Sequence, residues 1–102
     1  MLIAILAAAL VQTAPAPALP PVVWAEPPRI EMPPKALEAG ASGSVVLRCH
    51  FMENGAATNC VVVFETPAGM GFGREAIRGV RMARAEPGQS GLREVRLNFS
   101  TR

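Results

Sequence analysis

From Gly43 onward the chain alternates at period two. Val45, Leu47, Cys49 and Phe51 share one parity, and Val46, Arg48, His50 and Met52 the other. Such alternation marks a half-buried β-strand, because successive side chains leave opposite faces of the pleat. A second β-rich run passes through Cys60, Val62 and Phe64, and Asn54-Gly55 stands between the two. Both residues tolerate positive φ, so the dipeptide predicts a tight hairpin turn. Folding there makes the numbers of facing residues sum to 109: Glu53 faces Ala56, Phe51 faces Thr58, and Cys49 faces Cys60. The predicted core face is then Val45, Leu47, Cys49 and Phe51, with Cys60, Val62 and Phe64 across from them.

Helical period appears on either side of the hairpin. Pro34 to Gly40 predicts one or two helical turns, with proline at the start and glycine as the stop. Phe72 to Arg84 predicts an amphipathic helix. At helical spacing Phe72, Ala76, Val80 and Ala83 form one stripe, Ile77 lies at its margin, and Arg74, Arg78, Arg81 and Arg84 cluster behind. Glu86-Pro87-Gly88 ends that helix. Val95, Leu97 and Phe99, alternating with Glu94, Arg96 and Asn98, then predict a last strand. A right-handed crossover returns this strand beside the first of the hairpin. The expected fold is α+β: a small three-stranded antiparallel sheet of order 2-1-3, counting strands from the hairpin, with helices packed on one face.

The N-terminal third changes the picture of the compartment. Met1 to Val11 is an unbroken apolar run of 11 residues, well short of the ~20 needed to span a bilayer. It fits the apolar region of a secretory signal peptide, with Ala-x-Ala motifs ending at Ala16 and Ala18; an uncleaved membrane anchor is the alternative. Between Ala14 and Pro34 lie eight of the ten prolines, which predict an extended, semi-rigid arm. Trp24 interrupts it, either packing the arm onto the domain or pairing as a short extra strand, or serving as an exposed anchor for a partner. The expected organisation is a signal peptide over residues 1–18, a proline-rich arm over 19–32 and a globular domain over 33–102, exported to the periplasm.

Charge and composition exclude several function classes. Net charge is +2, and residues 74–102 carry seven Arg against three Glu. A nucleic-acid binder would combine a stronger basic footprint with interleaved aromatics, whereas this chain has no Tyr and one Trp. The arginine ridge reads as a solvated face, with attraction to anionic lipid or an acidic partner as the alternative. Gly69, Gly71 and Gly73 mimic part of a dinucleotide fingerprint, but its third glycine would fall at Arg74 and no room remains for a doubly wound sheet.

The stretch Arg48 to Cys60 holds both cysteines and the only histidine. Neighbours on a strand diverge, so Cys49 and His50 cannot form a nucleophile and base without a bulge. Cys49, Cys60 and His50 put at most two ligands on one face, too few for a zinc site. The spacing is also wrong for a Cys-x-x-Cys redox pair. A disulfide between Cys49 and Cys60 satisfies the even count, the oxidising compartment and the facing positions. By loop-entropy reasoning it is worth ~3 kcal/mol to a domain with a thin core. No catalytic, metal-binding or cofactor-binding residues are expected, and the protein is not read as an enzyme.

The order of motifs from Met32 to Phe99 resembles the C-terminal domain of TonB and its TolA-like relatives. The resemblance is carried by Pro33, Ala36, Gly40 and Gly43 ahead of the first strand, by Gly55 in the turn and by Thr66-Pro67-Ala68 after the second strand. Arg74-Glu75-Ala76 through Arg84, Glu86-Pro87-Gly88 and Ser90-Gly91 complete it before a strand ending at Phe99. The chain departs from the family where Met32-Pro33 stands for Tyr-Pro, and where Ala83-Arg84-Ala85 stands for an aromatic-rich helix end. The resemblance implies a protein-binding module without cofactor, whose last strand pairs with an extended segment of an outer-membrane receptor or other envelope protein in energy-coupled transport. The implied binding edge is Gly91, Leu92, Arg93, Glu94, Val95, Arg96, Leu97, Asn98 and Phe99. The alternative from another class is an assembly protein that dimerises or swaps strands through the same edge.

Overall fold

A computed structural model describes residues 19–100; the expected signal segment, residues 1–18, lies outside the described residues. In chain order the elements are β1 (Trp24–Glu26), α1 (Pro34–Ala39), β2 (Gly43–Phe51), β3 (Ala57–Thr66), α2 (Phe72–Arg81), β4 (Arg84–Ala85) and β5 (Gly91–Phe99). β2 is central and pairs antiparallel with both neighbours, in the order β3-β2-β5. The class is α+β with an antiparallel three-stranded sheet. To the expected three-stranded sheet is added a separate two-stranded one, in which β1 of the arm pairs antiparallel with β4, so that Trp24 does form a short extra strand.

The hairpin corrects the predicted turn. Met52 N–H donates to the Ala56 carbonyl at 2.9 Å and Gly55 N–H to the Met52 carbonyl at 2.9 Å, so the loop is Glu53-Asn54-Gly55, one residue longer than the dipeptide implies. Phe51 accordingly faces Ala57, and His50 faces Thr58. A bulge at Asn59, whose φ is 50°, then inserts one extra residue in β3 and restores the expected pairing of Arg48 with Val61 and Leu47 with Val62. The two departures cancel at the cysteines. Cys49 and Cys60 are disulfide-bonded with their Cα atoms 4.1 Å apart.

A second irregularity at Val63 has no such compensation. Beyond it Val46 faces Phe64, which moves Phe64 to the outer face, because one inserted residue flips every later side chain. The core assignment of Phe64 and Val62 is therefore corrected: Phe64 is 54% exposed and Val62, inward but at the sheet margin, 40% exposed. The inner row of β2 is as predicted, with Val45, Leu47, Cys49 and Phe51 all buried.

Over that row lies α2, whose Phe72, Ala76 and Val80 are buried. The Phe72 ring meets Phe99 of β5 at 4.9 Å between centroids. The helix stops at Arg81 rather than Arg84. Ala83 stays buried, but Arg84 leaves the arginine ridge because Arg84–Ala85 is recruited as β4. Tertiary pairing outweighs continuation of the helix here: Ala85 N–H donates to the Gly55 carbonyl at 2.9 Å, and Glu86 N–H to the Val23 carbonyl at 2.9 Å. Gly55 allows the approach twice over, since its φ is 88° and a Cβ there would overlap the Ala85 carbonyl oxygen.

The arm is part of the packed structure. Trp24 sits edge-on to Phe51, 5.8 Å between centroids, and Val22, Ile30 and Met32 also pack against the core. It passes α2 at Gly79, where a Cβ would stand 2.9 Å from the Arg29 carbonyl oxygen. Glu31 N–H donates to Glu75 Oε1 at 3.3 Å, while the Arg78 guanidinium bonds the same carboxylate and lies 3.5 Å from the Glu31 carboxylate. The Arg78 hydrogen bond holds the Glu75 carboxyl below the ordinary carboxylate range; partial burial opposes this, and the Glu31 amide and the Arg78 charge add to it.

Two expectations follow from this packing. Phe51→Ala should destabilise by about 3–5 kcal/mol and Phe64→Ala by about 0.5 kcal/mol or less, read from urea midpoints; equal costs would refute the bulged register. Because Glu75 has a depressed folded-state pKa, its contribution is complete above the unfolded value of about 4.3 and is lost as pH falls through the folded value. The stability gap between wild type and Glu75→Gln should therefore be present at neutral pH and close in acid. A gap independent of pH would refute the Glu75–Arg78 contact.

Candidate partner-binding edge

The predicted edge residues are brought together as one strand. β5 runs antiparallel to β2 in unbroken register, from Gly91 opposite Phe51 to Phe99 opposite Gly43. Parity places Arg93, Val95, Leu97 and Phe99 on the inner side, where Val95 and Phe99 are buried and Arg93 and Leu97 half-buried. Leu92, Glu94, Arg96 and Asn98 face outward. There Arg96 Nη2 pairs with Glu94 Oε1 at 2.7 Å, and Ser44 Oγ donates to Asn98 Oδ1 at 3.0 Å.

The sheet has two edges, and they differ physically. β3 is interrupted at Asn59 and Val63, and such bulges twist a strand edge and blunt it as a template. β5 carries no irregularity over its nine residues, and among the described residues it pairs with β2 alone. Its other side presents an ordered row of backbone donors and acceptors.

Side chains at the start of β5 hold the arm. The Gln89 amide makes two bonds to one residue: Val23 N–H donates to Gln89 Oε1 at 2.8 Å, and Gln89 Nε2 donates to the Val23 carbonyl at 3.1 Å. Arg93 Nε donates to the Gln89 carbonyl at 2.8 Å, and Arg93 Nη1 to the Pro21 carbonyl at 3.2 Å. Sequence reasoning missed this clasp. Gln89 lies in a polar turn that carries no periodicity, but Arg93 gave a signal, being the one charged residue on the inward parity of an otherwise apolar row.

Elsewhere the chemistry-bearing residues are placed apart. The cysteines are joined to each other, and His50 is exposed on the outer face, opposite Thr58 and Leu92. Among the described residues no cluster of three or more His, Cys, Asp or Glu could hold a metal ion. No described helix is long and apolar enough to cross a membrane.

The family described as Gram-negative bacterial TonB protein C-terminal matches residues 28–102. The match begins within the arm, four residues before Met32, at the stretch that passes α2. No curated protein matches the chain at a significant level. With nearly three quarters of its length covered, and with the antiparallel sheet and helices in place, the chain belongs to the TonB C-terminal family.

Proposed function

We propose that this protein is a periplasmic, non-enzymatic binding module that captures an extended segment of a cell-envelope protein, such as an outer-membrane receptor, by strand addition along Gly91–Phe99. Membership of a periplasmic family concerned with energy coupling across the envelope supports a protein partner and a part in transport. The observation that carries the choice of edge is the contrast between unbulged β5 and twice-interrupted β3. Strand addition takes its affinity from main-chain hydrogen bonds, so it needs a straight row of unpaired backbone groups. The organisation that accompanies this reading is an exported chain, with residues 1–18 as signal peptide or anchor and the arm leading into the domain.

A second reading draws on the charges of β5. Two copies of the strand, antiparallel about Val95, would set each Glu94 against the partner copy's Arg96, and opposite charges facing across strands are favourable. On that reading the edge serves assembly and has no transport role.

Isotope-labelled, disulfide-intact protein titrated with a peptide spanning the TonB-contacting segment of an outer-membrane receptor separates these cases. The expected result is a saturable set of amide shifts along Gly91–Phe99 with the mass unchanged. Shifts confined to Ala57–Thr66, or none at millimolar peptide, would refute capture by β5. A mass that doubles with protein concentration, with peptide unable to shift the β5 amides, would establish assembly instead.

A further inference from the structure

We propose that the proline-rich arm is the second wall of the partner site, and that it selects segments whose inward-facing side chains are apolar. This rests on β5 being the edge that the partner joins. α2 lies mainly over β2 and β3, so the inner side of β5 beyond Phe99 is covered by the arm instead. Between them runs an open groove, with Leu19, Val22 and Trp24 on the arm side and Glu94 to Arg96 on the strand side. A segment laid along β5 would place every second side chain on the inner side of the sheet. The one beside Val95 would meet Val22 and Leu19, and those beside Glu94 and Arg96 would stay in solvent.

The wall is built to stand before the partner arrives. Prolines at 20 and 21 fix φ over this stretch, and the Gln89 and Arg93 clasp holds Val23 and Pro21 by their backbone groups. Ordering a wall in advance lowers the entropy lost on binding. The clasp is also made by side chains, so it leaves the strand edge of β5 for another chain. The partner implied is an extended segment that alternates apolar and polar residues, its polar ones reading the Glu94–Arg96 pair by charge.

Two synthetic nine-residue peptides of equal composition test this, one alternating valine with threonine and lysine, the other carrying the same residues in blocks. Binding is followed by the fluorescence of Trp24, the only tryptophan, and by the β5 amide shifts. The alternating peptide should bind at least about tenfold more tightly, the scale expected when one or two valines are buried. Gln89→Ala, which removes both side-chain bonds to Val23 and loosens the wall, and Val22→Ser, which changes the wall and leaves the clasp, should each narrow the gap between the two affinities while the block peptide still shifts Gly91–Phe99. Equal binding of both peptides to wild type, with β5 shifts, would remove the arm from the site and leave strand addition standing. So would a preference undiminished in both variants. Silence of β5 with either peptide would overturn strand addition and the arm's role together. Should Gln89→Ala lose amide dispersion, Val22→Ser decides alone.

Discussion

The inner row of β2 is the constraint on which the other elements depend. Among the described residues β2 is the only strand of its sheet hydrogen-bonded on both sides, and its Val45, Leu47, Cys49 and Phe51 are all but inaccessible to solvent. Each other element is fixed by what it places on that row. β3 is bonded to it covalently at Cys49, α2 covers it with Phe72, Ala76 and Val80, and the arm closes its far end where Trp24 meets Phe51. In a domain this small a single core leaves little margin, so the disulfide and the arm act as supplements to a core that α2 alone does not complete.

The same economy explains why the two edges diverge. The short loop Glu53-Asn54-Gly55 and the Cys49–Cys60 bond demand registers that differ by one residue, and the bulge at Asn59 reconciles them. The irregularity is absorbed by the strand with a free side. β5 has no covalent tie to β2 and keeps a straight register, which is the condition for templating another strand. Stapling one edge thus leaves the other regular.

Period two and the family resemblance made the class, the inner row, the cysteine pairing and the identity of the edge strand legible before the structure. What they could not show was decided by contacts distant in sequence. Asn-Gly promises a tight turn, but only the disulfide downstream determines that a bulge must follow, and parity beyond Val63 is lost because a bulge carries no compositional mark. The apolar character of Val62 and Phe64 therefore misled: hydrophobicity reports that a side chain could be buried, and position at a sheet margin decided that it was not. The helix end at Arg81 was hidden for a similar reason, since Ala83-Arg84-Ala85 has good helical propensity and is drawn away by pairing with Trp24. On the candidate edge, Gly91 to Phe99 could be named from the chain alone. The clasp on the arm could not, because Val23 and Gln89 stand 66 residues apart.

That separation gives the arm a role which its proline content alone does not suggest. A run of backbone hydrogen bonds leads from Gly55 in the hairpin turn to Ala85, and from Glu86 to Val23, and the Gln89 amide then links Val23 to the chain entering β5. The turn, β4, the arm and the start of β5 are therefore one connected unit lying across the end of the sheet. Its geometry depends on Gly55 lacking a Cβ, for only then can the turn approach Ala85 closely enough to pair. A glycine that reads as a simple turn residue thus bears on where the arm stands beside β5. The arm ceases to be a spacer once its first residues are held by β5, the proposed partner edge, because whatever fixes that strand's neighbours also fixes the groove beside it.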